Sequence, residues 1–245
     1  MWWKQPVLDK GYIVLENAMA CDADVLNAAW ASTDKYKNPD EITEEEYERM
    51  LNLLLPKEGP IHAAPFRHTA FRFYVKCPLY VTFEWYKHVI GIKYSEPFES
   101  QGNAWSQQSI RASLVKNPEF YYPDHLRKNI GRSTAYTFER IDNAEMVDEF
   151  NKELEEMNEN STEFYKKWIE RDITRELVGR AFNPFLYVNF VTTTNANSLM
   201  NFCGLRNESH AQYEIREYAK HAERALKEVI PRTYKVWMAR GRPRM

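Results

Sequence analysis

Cysteine is scarce in this chain. Only Cys21, Cys77 and Cys203 occur, far apart in 245 residues. An odd number at such spacing argues against a disulfide framework or a zinc ligand set. It points to reduced thiols in a cytosol, that of a bacterium or of a virus-infected host. Long apolar runs are missing too. None approaches membrane-spanning length, and Met1-Trp2-Trp3-Lys4 lacks a signal-peptide pattern, so neither a membrane nor a secretion route is expected. The charge has no dominant sign. Lys and Arg number 33 against 35 Asp and Glu, a formal net charge of −2. No global field draws in nucleic acid, so an anionic ligand must be held by locally placed Arg and Lys. Internal repeats and low-complexity linkers are also absent. What remains is 44% hydrophobic and 14% aromatic, enough for one substantial core, and a single domain over residues 1–245 is expected.

Periodicity sets out the elements. Tyr12-Ile13-Val14-Leu15, within Val7 to Asn17, reads as a strand, and Asp22 to Ser32 as a helix. Thr43-Glu44-Glu45-Glu46 is a capping box opening a helix to about Leu55. Ala70 to Val75 alternates, with Phe71, Phe73 and Val75 on one face. Pro78 starts a helix through His88. Asp142 to about Gly179 carries a long helical signal. Phe150, Leu154, Met157, Phe164, Trp168 and Leu177 are placed on its core side, and Asn158 to Ser161 as a possible break. Phe185 to Thr193 reads as a strand, and the basic tail Arg240 to Arg244 as a frayed end.

The stretch from Asn195 to Arg216 reads as two helices joined by a polar turn. The first ends near Gly204, and the second opens at Ser209 with Gln212 completing a capping box. Ala211, Ile215, Tyr218, Ala219, Ala222, Ala225, Leu226 and Val229 then form one apolar face. Asn195, Asn197, Asn201, Arg206, His210, Gln212 and Arg216 crowd the junction. Polar groups packed between apolar helices mark a ligand site. Two further groups stand out, Glu84 to His88 with Ser106 to Arg111, and Arg175-Glu176 with Arg180. Ser and Arg two apart suit a phosphate, the hydroxyl donating while the guanidinium binds bidentately.

Taken together, these segments resemble the flavin-dependent thymidylate synthases. Ser198-Leu199-Met200-Asn201-Phe202 through Leu205-Arg206, then His210-Ala211-Gln212-Tyr213-Glu214-Ile215-Arg216, is similar to that family's long C-terminal block. His62-Ala63-Ala64-Pro65-Phe66-Arg67-His68 resembles its His-x-Ser-Pro-Phe-Glu-His loop. Cys77 to Val81 resembles the lead into its signature helix, and Pro118 to Pro123 the stretch after the signature. The signature departs from the pattern. Lys87-His88-Val89 stands for Arg-His-Arg. After an inserted link, Gly91 to Gly102, Ala104-Trp105-Ser106-Gln107-Gln108-Ser109-Ile110-Arg111-Ala112 stands for Ser-x-Asn-Glu-x-Ser-x-Arg-Tyr. Gln107 replaces a Glu and Glu84 a Gln.

The resemblance implies a mixed α/β (α+β) fold, a central, mostly antiparallel sheet flanked by helices, in a homotetramer. It implies FAD as cofactor, with methylenetetrahydrofolate and NADPH as co-substrates and dUMP methylated at C5. By position, Ser109, Arg111 and Arg180 would hold the nucleotide's phosphate and sugar, with Glu84 and Gln107 beside it. Arg206 would face the pyrimidine, Arg206 and Ser109 being the catalytic candidates. His62, Lys87, His88, Asn195, Asn201 and His210 would line the flavin. No metal is implied. The changes at Glu84, Lys87, Val89 and Gln107 keep open another pyrimidine nucleotide such as dCMP, or hydroxymethylation. A homologue without catalysis is a third possibility. The inserted link, with Tyr94 and Phe98, is expected to act as a lid or specificity element.

Overall fold

The computed structural model describes residues 1–88, 104–131 and 137–245. The inserted link and Val89 lie outside them. In chain order the elements are strands β1 (Trp3–Val7) and β2 (Gly11–Met19), then helices α1 (Asp22–Trp30) and α2 (Glu44–Leu54). Strand β3 (Ala70–Pro78), helix α3 (Leu79–Trp85) and strands β4 (Ala104–Gln107), β5 (Leu126–Asn129) and β6 (Phe138–Ile141) follow. Helices α4 (Ala144–Ile169) and α5 (Arg175–Val178), strand β7 (Tyr187–Thr194) and helices α6 (Ala196–Arg206), α7 (Tyr213–Val229) and α8 (Pro231–Ala239) complete the order. Five strands form an antiparallel sheet in the order β1-β2-β3-β7-β4, and β5 and β6 pair as a separate hairpin. The expected antiparallel sheet flanked by helices is present. No helix among the described residues is long and apolar enough to cross a membrane.

Alternation along β3 sends Phe71, Phe73, Val75 and Cys77 into the core, all fully buried. Each large apolar side chain so buried contributes about 1.5–3 kcal/mol. The matching surface is the apolar face of α7, where Ile215, Tyr218, Ala219, Ala222, Ala225 and Leu226 are fully buried as their spacing predicts. Tyr218 ties the two layers, its hydroxyl donating to the Lys76 carbonyl at 2.7 Å. The Thr43 capping box forms as expected, with Glu46 N donating to Thr43 Oγ1 and Thr43 N to Glu46 Oε2, both at 3.2 Å.

Several expectations need correcting. β1 is an additional edge strand; it carries Pro6, which an edge strand tolerates because its missing N–H leaves no ladder bond unmade. α3 stops at Trp85, leaving Lys87 and His88 in the turn that follows. α4 starts after Asn143, which caps Met146 N at 3.1 Å, and runs unbroken through residues 158–161. Asn158 is buried there with its amide satisfied, donating to the Tyr122 hydroxyl at 3.1 Å and accepting from Asn183 at 2.5 Å. α4 ends before a left-handed Asp172, so it does not reach Gly179. Its inward face is Val147, Leu154, Asn158 and Tyr165, while Phe150, Met157, Phe164 and, on α5, Leu177 are exposed.

Gly204 lies inside α6 and ends nothing. It is a close-approach position, where an added Cβ would sit 3.3 Å from the Arg242 carbonyl. Ser209 lies in the turn and α7 begins at Tyr213, with no side-chain cap from Gln212. The basic tail is docked, because Arg242 pairs with Glu223 at 2.7 Å, and Met245 and Asn201 exchange two hydrogen bonds.

Gly11 is where backbone and core meet most tightly. A Cβ there would lie 2.1 Å from the Tyr218 hydroxyl, 2.7 Å from the Val7 carbonyl and 2.9 Å from the Lys76 carbonyl. Two of the three neighbours are backbone and the third is a fully buried ring, so none can yield cheaply. Gly11→Ala is expected to cost about 2–3 kcal/mol and to lower Tm by roughly 4–12 °C. Differential scanning calorimetry checks this, and an unchanged Tm contradicts it.

Candidate active site

The last residue of α6 and the end of α3 meet at one place. Trp85 is buried, stacked on Phe202 with ring centroids 4.5 Å apart, and edge-on to Phe190 at 5.3 Å and Tyr218 at 6.2 Å. These contacts pin the C-terminal end of α3 against α6 and α7. Glu84, Lys87 and His88, adjacent in sequence, are thereby held beside Arg206.

Arg206 is engaged through two of its guanidinium nitrogens. Its Nη2 lies 2.7 Å from Glu84 Oε2 and 3.5 Å from the Glu84 carbonyl, and its Nε donates to His88 Nε2 at 2.9 Å. The other Glu84 oxygen faces Lys87 Nζ at 3.1 Å. The His88 ring stands edge-on to Phe202 at 5.2 Å. Burial, with the Arg206 guanidinium adding to it, pushes the His88 pKa down to about 4. At neutral pH the ring is therefore uncharged and Nε2 accepts, which assigns the proton to Nδ1. At Glu84, burial works to raise the carboxyl pKa, but Lys87 and Arg206 outweigh it and hold it below its ordinary value. The cluster therefore carries two cations and one anion, a net single positive charge.

A cavity of about 670 Å³ lies beside Glu84, walled by Tyr80, Phe83, Tyr121, Phe150 and Phe185. Glu214, 1% exposed, lies in its wall and is paired to Arg127 at 2.6 Å. Sequence inspection found neither Arg127 nor this pairing, because nothing local links positions 87 residues apart.

The expected phosphate-binding residues gather elsewhere. Ser109 is exposed, its Oγ accepting from Ala112 N at 3.3 Å. Arg111 is 79% exposed and pairs with Glu176 at 3.4 Å. Gly179 packs so closely on Ile110 that a Cβ would come within 2.4 Å of it, which carries the exposed Arg180 to the same edge. Gln107, on β4, accepts from the Trp105 indole N–H at 3.3 Å. Among the described residues no hydrogen bond or ion pair joins this group to Arg206.

The residues expected along a flavin are spread out. Lys87 and His88 stand with Arg206. His62 is exposed, its backbone N–H donating to the Leu54 carbonyl, and His210 is exposed in the turn before α7. Asn195 is buried as the N-cap of α6, accepting from Ser198 N at 2.8 Å. Asn201 is buried and clasps Met245. Between them Asn197 is fully buried, and neither of its amide atoms has a partner among the described residues. Each buried polar group left so costs about 1–3 kcal/mol. A planar ring with adjacent N–H and C=O groups matches that donor and acceptor. The polar crowding of the sequence includes Asn197, but no signal there sets it apart from its neighbours.

A protein-family profile, described as thymidylate synthase complementing protein, matches residues 14–232. The chain is 33% identical over 233 residues to a flavin-dependent thymidylate synthase of Thermosipho africanus, covering 95% of this chain and 92% of that protein. The chain belongs to the flavin-dependent thymidylate synthase family. The Thermotoga neapolitana member is 32% identical over 235 residues, covering 96% of this chain and 94% of its own length. The fold is also that of a UMP/dUMP methylase, PolB from Streptomyces cacaoi, with a TM-score of 0.81 and 23% identity over 98% of this chain and 99% of that one. In this chain the Glu84 carboxylate occupies the guanidinium of Arg206.

The neutral His88 makes stability depend on pH. Its folded pKa of about 4 lies below the ordinary 6.5, so the unfolded chain binds the proton more readily. The contribution is complete above about pH 6.5 and is lost as pH falls towards 4. Allowing for solvent around a partly exposed ring, it amounts to about 1–2 kcal/mol. His88→Gln, which cannot titrate, should flatten that part of the profile. Urea unfolding of both proteins at pH 7 and pH 4.5 measures it, and parallel profiles would rule it out.

Proposed function

We propose that this enzyme methylates C5 of dUMP to give dTMP, with methylenetetrahydrofolate supplying the carbon and NADPH the reducing equivalents through FAD. The observation that carries this reading is Arg206, fixed at the junction of α3 and α6 by Glu84 and His88, in a chain whose residues 14–232 match the family. A cation held in that geometry stabilises negative charge growing on a pyrimidine ring without reorganising as the charge forms.

The thiols support chemistry without an enzymic nucleophile. Burial pushes the Cys77 and Cys203 thiols well above their ordinary pKa, and that of Cys21 is also raised, chiefly by burial, so none is poised as a thiolate. When bound, FAD supplies the redox step. Lys87, His88, Asn195 and Asn201, with His62 and His210, would hold it, and the unpartnered amide of Asn197 fits a ring edge of the flavin kind. Ser109, Arg111 and Arg180 bind the phosphate and sugar, with Gln107 nearby. Both Glu84 oxygens already face cations, so, of the changes that keep dCMP open, the added charge is paired inside the site, and the relatives named as thymidylate synthases favour dUMP. We therefore keep dUMP.

We infer a homotetramer. Among the described residues no hydrogen bond or ion pair joins the Ser109, Arg111 and Arg180 group to Arg206, and association of copies would bring the two groups onto one nucleotide. The exposed Phe150, Met157 and Phe164, seven residues apart on one side of α4, supply an apolar stripe for such packing. Light scattering of the flavin-loaded protein measures the assembly.

The FAD-loaded protein, given dUMP, methylenetetrahydrofolate and NADPH, is expected to form dTMP on chromatography; absence of dTMP contradicts the reading. Arg206→Ala is expected to lower kcat about 10²–10³-fold, the usual effect of removing one preorganised charge-stabilising group. Arg111→Ala should weaken dUMP binding by about one to two decades while FAD stays bound. Equal loss of both ligands would show damage to the fold instead.

A further inference from the structure

Arg206 already has an anion before any ligand arrives. Resting on the reading of Arg206 as the group that meets the pyrimidine, we propose that Glu84 is a positioning residue acting through Arg206. It is an internal counter-anion that fixes the guanidinium at the cost of nucleotide affinity.

Four observations carry this. First, the contact is more than an exposed ion pair of the kind that contributes little. The Arg206 and Glu84 side chains are 24% and 31% exposed, and the guanidinium is gripped at both ends, by the Glu84 carboxylate and carbonyl through Nη2 and by neutral His88 through Nε. Second, Glu84 is restrained, since its other oxygen lies 3.1 Å from Lys87 Nζ and its neighbour Trp85 is packed in the aromatic core. Third, the charge balance decides the sign. With Glu84 the cluster has one net positive charge, whereas with a neutral Gln it would have two, so the carboxylate lowers the pull on an anionic nucleotide. Fourth, Glu84 also lines the 670 Å³ cavity, so it stands where that space meets the guanidinium.

A long Arg side chain left free in a positive site samples many rotamers, and its charge is then rarely where the transition state needs it. Glu84 removes that freedom. The energy withheld from ground-state binding is then available as the ring becomes anionic, which favours turnover over affinity.

Glu84→Gln keeps the shape and removes the charge. In the FAD-loaded protein it is expected to bind dUMP about 3–10-fold tighter while kcat falls by about tenfold or more, with flavin content unchanged. Glu84→Asp, which keeps the charge, should leave the dUMP Kd within about threefold of the unaltered protein. A readout that needs no nucleotide accompanies these. Phenylglyoxal modification of Arg206, followed by peptide mass spectrometry with Arg111 as internal control, should run about 3–10-fold faster in Glu84→Gln.

Faster modification of Arg206 with tighter dUMP binding and slower turnover supports the proposal. An unchanged modification rate overturns it, as does a joint fall in flavin content and dUMP affinity, which a merely structural role would produce. If the unaltered protein does not bind dUMP, yet Glu84→Gln still exposes Arg206, the holding role of Glu84 stands and the dUMP reading fails.

Discussion

The indole of Trp85 is the contact on which the site depends. It lies between the end of α3 and three elements, stacked on Phe202 of α6 and meeting Phe190 of β7 and Tyr218 of α7 edge-on. Offset and edge-to-face ring pairs add about 0.5–1.5 kcal/mol each beyond the area they bury. Their larger effect is geometric. A seven-residue helix has too few hydrogen bonds to hold its own direction, so α3 takes its direction from the core. Glu84 and His88 flank Trp85 in sequence and inherit its placement, and through them so does Arg206.

The polar chemistry is tuned by the same burial. The ring environment that keeps Phe202 dry also keeps His88 neutral, and a neutral His can accept from Arg206 where a charged one would repel it. The Glu84 carboxylate stays ionised because two cations flank it. Thus one aromatic pocket makes one titratable group neutral and leaves its neighbour charged, as happens where a site assigns different roles to nearby groups.

Regular periodicity made much of the fold legible. The alternation in β3, the apolar face of α7 and the Thr43 box each record a local rule that the fold obeys. α4 defeated the same logic because it carries two apolar stripes. The stripe of larger, more apolar residues, Phe150, Met157 and Phe164, faces outward, while the inward stripe includes an asparagine. Periodicity shows that a face exists, not which neighbour covers it. Of the site, the motifs were readable by resemblance and the residue types by their chemistry. The grip of Glu84 on Arg206 was not, because it joins positions 122 apart, and no local pattern encodes a non-local pairing. The docking of the tail on Asn201 and Glu223 was hidden for the same reason.

Where the helices end bears on how the two groups differ. Arg206 closes α6, and Lys87 and His88 follow the end of α3, so the cluster sits at two helix C-termini. The partial negative charge of a helix C-terminus favours cations there and offsets their field outward. With Glu84 added, the junction is poorly built to capture an anion and well built to hold a guanidinium still. Ser109, Arg111 and Arg180 have the opposite character, exposed, with Arg111 paired only at 3.4 Å among the described residues. On the reading proposed above, affinity for the nucleotide comes from that exposed group, and stabilisation of developing charge from the buried one. Binding energy won at a remote phosphate can then raise the rate only because Arg206 is already in position. A chain with a net charge of −2 and no general attraction for anions is consistent with that division.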